Sequence, residues 1–145
     1  MRIVTGSDHA GFALKTELIG VLEGLGHQVE DKGTRVKERC DYPDYAQAVA
    51  EAVARGEADW GLLVCGSGIG MAMAANKVRG IRAAVVSDTF SARATRLHND
   101  ANVLCLGERV VGAGLAADIL HAWLGAQYEG GRHQARIDKM MALEG

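Results

Sequence analysis

Trp60-Gly-Leu-Leu-Val-Cys65, followed at once by Gly66-Ser-Gly-Ile-Gly70, restricts the possible folds of this chain more than any other stretch. The first six residues are apolar at consecutive positions, which suits a central parallel strand buried on both faces. A glycine-rich break then opens a helix-period segment, from about Met71 to Asn76. Strand, tight turn and helix in that order form one unit of an open α/β sheet.

The same alternation runs through the chain. Arg2 to Thr5 reads as a first strand, and Leu14, Leu18, Val21, Leu22 and Leu25 form a helical stripe after it, with Gly26 where the helix stops. His27 to Glu30 reads as a weak second strand, and the charged stretch Asp31 to Cys40 as a loop. Asp41-Tyr42-Pro43 opens the next helix, whose stripe is Tyr45, Ala48, Val49, Ala52 and Val53. Ile81 to Val86 is expected as the fourth strand, with Phe90, Ala94 and Leu97 marking the helix after it. Asn102 to Leu106 is expected as the fifth strand, and Leu115, Ile119, Ala122 and Trp123 mark another helix. After Gly130-Gly131, a last short helix is expected over Arg132 to Leu143. The expected fold is a single three-layer α/β/α domain over residues 1–145, Rossmann-like, with a C-terminal helical arm from about residue 128.

Composition narrows the functional classes. A net charge of −2 gives no whole-molecule attraction to nucleic acid or to a membrane surface, so neither is expected as a partner. No uncharged apolar run reaches the roughly 18–20 residues of a membrane span. Asp8 interrupts the N-terminus too early for a cleaved leader. Three cysteines, an odd number without CxxC spacing, suit a reduced thiol protein of the cytoplasm.

In open α/β sheets ligands sit beyond the carboxyl ends of the strands, which selects the polar residues to weigh. Gly66 to Gly70 can turn backbone N–H groups outward at a helix start, to hold an anion or a developing oxyanion. It matches neither a dinucleotide fingerprint, since Met71 breaks the third glycine position, nor a P-loop. Cys65 stands directly before it, where a thiolate can act as base or nucleophile. Asp8 and His9 follow the first strand, His98-Asn99-Asp100 follows the fourth helix, and Arg109 follows the fifth strand. Arg132 and Arg136 lie four apart on one helix face, a spacing that suits a phosphate. Each feature taken singly has a bland counterpart: a tight turn, a core thiol, a capping pair, a solvated basic face. No Cys, His and carboxylate spacing points to a metal.

Several ordered segments together are more specific. Ser7-Asp-His-Ala-Gly-Phe12, Asp41-Tyr-Pro-Asp-Tyr-Ala46, Cys65-Gly-Ser-Gly-Ile-Gly70, Ala74-Ala-Asn-Lys77, His98-Asn-Asp100 and Glu129-Gly-Gly-Arg-His-Gln-Ala-Arg136 resemble the ribose-5-phosphate isomerase type B family, over nearly the whole chain. The resemblance implies a five-stranded parallel sheet and a homodimer, or a dimer of dimers, with shared active sites. It implies that Cys65 is the proton-abstracting base, and that His98 is the acid that opens the furanose ring, with Ser67 assisting. Asp8, Asn99 and the loop Gly66, Ser67, Gly68, Ile69 and Gly70 would hold the sugar and its enediolate. His9, Arg109, Arg132 and Arg136 would hold the phosphate. Thr is frequent in the family where this chain has Ser67, and one branch carries a Glu base where this chain has Met71.

The activity so implied is aldose–ketose isomerisation, an intramolecular oxidoreduction, of ribose 5-phosphate to ribulose 5-phosphate. It needs one base, donors near O1 and O2, and an anchor for the phosphate, without metal or redox cofactor. The rivals are the same chemistry on allose 6-phosphate, galactose 6-phosphate or a tetrose phosphate, a non-catalytic sugar-phosphate sensor, and a thiol redox protein.

Overall fold

A computed structural model describes residues 1–145. The elements in chain order are β1 (Arg2–Ser7), α1 (Phe12–Gly24), β2 (Gln28–Asp31), α2 (Tyr42–Ala54), β3 (Trp60–Cys65), α3 (Ile69–Ala75), β4 (Ala83–Val85), α4 (Thr89–Asn99), β5 (Val103–Gly107), α5 (Ala113–Gly125) and α6 (Arg132–Ala142). The five strands form one sheet in the order β2-β1-β3-β5-β4, and every pairing is parallel. This is the expected α/β fold.

The period of two along each strand sorts the core into two layers. Ile3, Leu62, Val64, Leu104 and Leu106 pack on one face against α1, α4 and α5. Val4, Leu63, Cys65, Val103 and Cys105 pack on the other against α2 and α3. The apolar run at β3 therefore supplies both layers, as its composition requires. Fully burying one such aliphatic side chain contributes roughly 1.5–3 kcal/mol.

The strand order reverses between β1 and β3: the connection from β1 leads out to β2, and the next strand is added on the opposite side of β1. Register places Ser7 beside Val64, and Cys65 beside Gly107. The carboxyl ends of β1, β3 and β5 therefore finish level, and the residues after them share one edge of the sheet.

Two expectations shift. The fourth strand shrinks to three residues at the sheet edge. On α4 the expected stripe is rotated: Phe90 is 71% exposed, and the buried residues are Ala92, Thr95 and Arg96. Arg96 can face the core because its guanidinium lies 4.5 Å from the Trp60 ring centroid and 5.5 Å from that of Trp123. It also donates to the Ala101 carbonyl at 2.7 Å and to Asp100 at 3.0 Å.

A buried charge braces the edge that carries the functional residues. Lys15 is 1% exposed, and its Nζ donates to Asp31 Oδ1 at 2.9 Å and to the Thr34 carbonyl. The turn so held is knitted to the end of β1, with Ser7 N–H donating to the Gly33 carbonyl and Thr34 N–H to the Ser7 carbonyl, both at 2.7 Å. Lys15→Met is expected to lower stability by about 2 kcal/mol, since two acceptors lose their donor while half-exposed Asp31 regains water. Denaturant unfolding checks this, and an unchanged midpoint would show that the brace contributes nothing.

Candidate active site

Beyond Cys65 the chain must leave the sheet and start α3 within a few residues, and Gly68 makes that possible. Its φ is +81°, and a Cβ there would lie 2.8 Å from Val85 and 2.9 Å from the Leu106 backbone. The Gly68 N–H donates to Cys65 Sγ at 3.1 Å, and the Ile69 N–H donates to Ser67 Oγ at 3.2 Å. The turn is tied to the end of β5: Glu108 N–H donates to the Cys65 carbonyl at 2.9 Å and Arg109 N–H to that of Gly66 at 3.0 Å. Gly107 passes so close to Ser67 that a Cβ would fall 2.6 Å from its backbone.

A cleft of about 680 Å³ lies over this turn, lined by Asp8, His9, Cys65, Gly66, Ser67, Ile69, Gly70 and Arg109, with Tyr42 and Met73 among its other walls. Eight of the residues singled out in the sequence thus converge on one space. Cys65 sits at 5% exposure, a thiol largely shielded from solvent yet reaching the cleft wall. Asp8 uses Oδ1 to accept the N–H groups of Ala10 at 3.0 Å and Gly11 at 3.1 Å, which leaves Oδ2 for a ligand. His9 Nδ1 accepts the Cys40 N–H at 3.2 Å, so the neutral ring carries its proton on Nε2 and is a donor there. Arg109 forms no ion pair within the chain. The cleft therefore combines a thiol, a hydroxyl, a free carboxylate oxygen and two donors suited to an anion.

Tyr42 was missed as a site residue in the sequence, where it served only as a helix start. Its ring covers Gly70, at which a Cβ would come within 2.6 Å of it. Met71 is fully buried against α2 and β3 rather than in the cleft. Cys105 is wholly buried, and burial followed by the neighbouring Cys65 pushes its thiol far above the usual range, as expected of a core cysteine.

Four expected site residues lie elsewhere in the chain. His98 occupies the last turn of α4, with Nε2 3.4 Å from Glu129 Oε1. Its ring stacks on His133, with centroids 4.5 Å apart and planes 18° from parallel. Asn99 borders a separate cavity of about 820 Å³ with Lys77, Arg79 and Arg82, which contains no thiol. Arg132 and Arg136 are exposed on α6 without ion pairs, and His133 between them is buried. Burial, then His98 and Arg132, hold His133 below the usual histidine range.

The all-parallel sheet, with a polar cleft over its carboxyl ends at the reversal between β1 and β3, is the architecture of an α/β ligand-binding enzyme. Within that class, the profile of the family described as Ribose/Galactose Isomerase matches residues 3–140. Ribose-5-phosphate isomerase B of Escherichia coli (strain K12) is 56% identical over 143 residues, covering 99% of this chain and 96% of that protein. D-erythrulose-4-phosphate isomerase 2 of Mycolicibacterium smegmatis is 46% identical over 149 residues, covering 100% of this chain and 98% of that one. A solved structure of Clostridium thermocellum ribose-5-phosphate isomerase B superposes with a TM-score of 0.98 at 52% identity, covering 99% and 97% of the two chains. This chain belongs to the ribose/galactose isomerase family and is an isomerase.

The steric demand at Gly68 can be separated from its backbone demand. Gly26 also has positive φ, at +90°, but nothing lies within 4 Å of a Cβ there. Gly26→Ala is expected to cost about 1 kcal/mol, the left-handed penalty alone, and Gly68→Ala at least about 1 kcal/mol more from overpacking. Equal losses in paired denaturant titrations would show that the turn yields freely.

Proposed function

We propose that this isomerase interconverts ribose 5-phosphate and ribulose 5-phosphate through an enediolate, with Cys65 as the base. The observation that carries the reading is that Cys65, Ser67, Asp8, His9 and Arg109 line one cleft, with Cys65 Sγ accepting the Gly68 N–H of the glycine turn. In this reading the thiolate takes the proton from C2 of the open-chain aldose and returns it to C1. The negative charge passing between O1 and O2 meets the N–H groups of the Gly66–Gly70 turn and the Ser67 hydroxyl. Asp8 Oδ2 accepts from a sugar hydroxyl. His9 and Arg109 hold the phosphate, so the reacting carbons stay within reach of the thiol. The names of the Escherichia coli and Clostridium thermocellum relatives support ribose 5-phosphate as substrate. The name of the Mycolicibacterium smegmatis relative favours a second reading, the same chemistry on a tetrose phosphate.

His98, Asn99, Arg132 and Arg136 do not line the Cys65 cleft of their own chain. We infer that a second copy, related by a two-fold axis, supplies them, with the arm over residues 128–145 reaching across. Ring opening by His98 and a share of the phosphate charge would then come from the partner. Exposed Ile69, Met73 and Val110, at 54%, 65% and 59%, border the cleft and supply apolar surface for such a contact. Unpaired Arg132 and Arg136 fit the same reading, since a dianionic phosphate needs more positive charge than His9 and Arg109 provide.

Cys65→Ala is expected to lower turnover of ribose 5-phosphate by about 10²–10⁴-fold, while calorimetry still detects sugar-phosphate binding. Near-normal turnover would remove Cys65 as base. Parallel assays on erythrose 4-phosphate, allose 6-phosphate and galactose 6-phosphate rank the substrates.

Sharing between subunits has its own test. Mixing Arg132→Ala/Arg136→Ala protein with Cys65→Ala protein is expected to restore roughly a quarter of the wild-type activity, because half the dimers are mixed and each holds one intact site. No recovery after demonstrated subunit exchange would overturn the sharing of arginines between subunits.

A further inference from the structure

Beyond the cleft, His98, Glu129 and His133 form a cluster whose donor atoms lie within 4.8 Å of one another. The grouping is built by the backbone. Glu129 N–H donates to the Leu97 carbonyl at 3.1 Å, one of the carbonyls that the end of α4 leaves without a helical partner. That bond pins Glu129 beside the residue before His98. Gly130 and Gly131 follow with φ of +67° and +60°, a left-handed pair that turns the chain back on itself. The turn delivers His133 under the His98 ring, and His133 N–H closes on the Gly130 carbonyl at 3.2 Å. His133 is 6% exposed, with Nε2 buried and without a partner.

Three such donors suggest a metal first, but the rings do not fit one. A metal bonds an imidazole nitrogen in the plane of the ring, at about 2.0–2.1 Å. Two rings 18° from parallel with centroids 4.5 Å apart cannot both direct in-plane lone pairs at a single ion. The stack instead suits one ring that serves as a wall for the other.

We propose that Glu129 is a positioning residue for His98, holding Nε2 so that Nδ1 is the nitrogen presented to the substrate, with His133 as the wall that fixes the ring plane. The proposal rests on the reading of His98 as the ring-opening acid. With Nε2 3.4 Å from the Glu129 carboxylate, the proton of the neutral ring is drawn to Nε2, which leaves the lone pair on Nδ1. Once protonated, the ring donates from Nδ1: the proton passes to the ring oxygen as the C1–O bond breaks, and the C1 hydroxyl releases its own proton to water as C1 becomes a carbonyl. His133, kept neutral, adds no repulsion under the imidazolium. The device resembles other carboxylate–histidine pairs in that the carboxylate orients the ring without itself taking the proton.

The test uses Glu129→Ala, which removes the carboxylate and keeps the backbone bond to Leu97, and Glu129→Asp as the conservative variant. In ¹⁵N spectra of the intact protein, His98 is expected to show a protonated Nε2 in its neutral form and to lose that preference in Glu129→Ala. With ribose 5-phosphate, kcat is expected to fall about tenfold, a fraction of what a general acid contributes, at a KM within about twofold, and to recover in Glu129→Asp. Erythrose 4-phosphate, which cannot close a furanose ring, is expected to lose far less where it is turned over. An unchanged His98 spectrum in Glu129→Ala would overturn the proposal, as would equal losses on both substrates. Zn²⁺ at stoichiometric concentration shifting the His98 and His133 signals together would overturn it in favour of a metal site. The His98→Ala protein separates the two readings: full turnover of ribose 5-phosphate there refutes the acid role of His98, while the spectra still report whether Glu129 orients the ring.

Discussion

Ser7 pairs with Val64, and Cys65 with Gly107, across three parallel strands buried on both faces. Because side chains alternate along a strand, a slip of one residue at β3 would exchange Leu62 and Val64 with Leu63 and Cys65 between the two core layers. The α1, α4 and α5 side and the α2 and α3 side differ in the side chains they offer, so the core holds that register firmly. Through it, Asp8, Cys65 and Arg109 arrive at one level, and the turn over Gly68 can close against Val85 and Leu106. The cleft is a consequence of strand register before it is a consequence of any polar contact.

Above that rigid floor the electrostatics are local. The chain as a whole carries a net charge of −2, yet the cleft is lined by His9 and by Arg109, which has no ion pair. Asp8 is the one carboxylate among the lining residues, and one of its oxygens is taken up by the turn leading into α1. Lys15 acts one shell further out. It neutralises Asp31 and holds the 31–34 turn to α1, so the segment leading to Cys40, whose N–H meets His9, starts from a fixed point.

Much of this was legible in the sequence where the information is contiguous. Cys65 and the glycines after it occupy six consecutive positions, and the chemistry of that turn follows from backbone freedom and a neighbouring thiol. Asp8 and His9 follow a strand directly, and the rule about strand carboxyl ends puts them at the edge where the cleft lies. The stripe on α4 was read wrongly because periodicity counts apolar residues. Arg96 is a charged residue that reaches the core by lying over two tryptophan rings, while Phe90 points outward.

Sequence alone thus determined the order of strands and helices, the two-faced burial of β3 and the thiol-and-glycine turn. These depend on propensity, periodicity and steric freedom over a few neighbouring residues. Only the tertiary structure decided that Tyr42 covers Gly70, that Arg96 lies over Trp60 and Trp123, and that Glu129 and His133 gather around His98. Tyr42 and Gly70 are 28 positions apart, and His98 and Glu129 31 apart. Contacts of that range are set by strand order, register and the left-handed turn at Gly130-Gly131. The structure also separated His98, Asn99, Arg132 and Arg136 from the cleft that holds Cys65. A linear motif specifies which groups a chain possesses, but the packing of helices on the sheet specifies which of them can share one space.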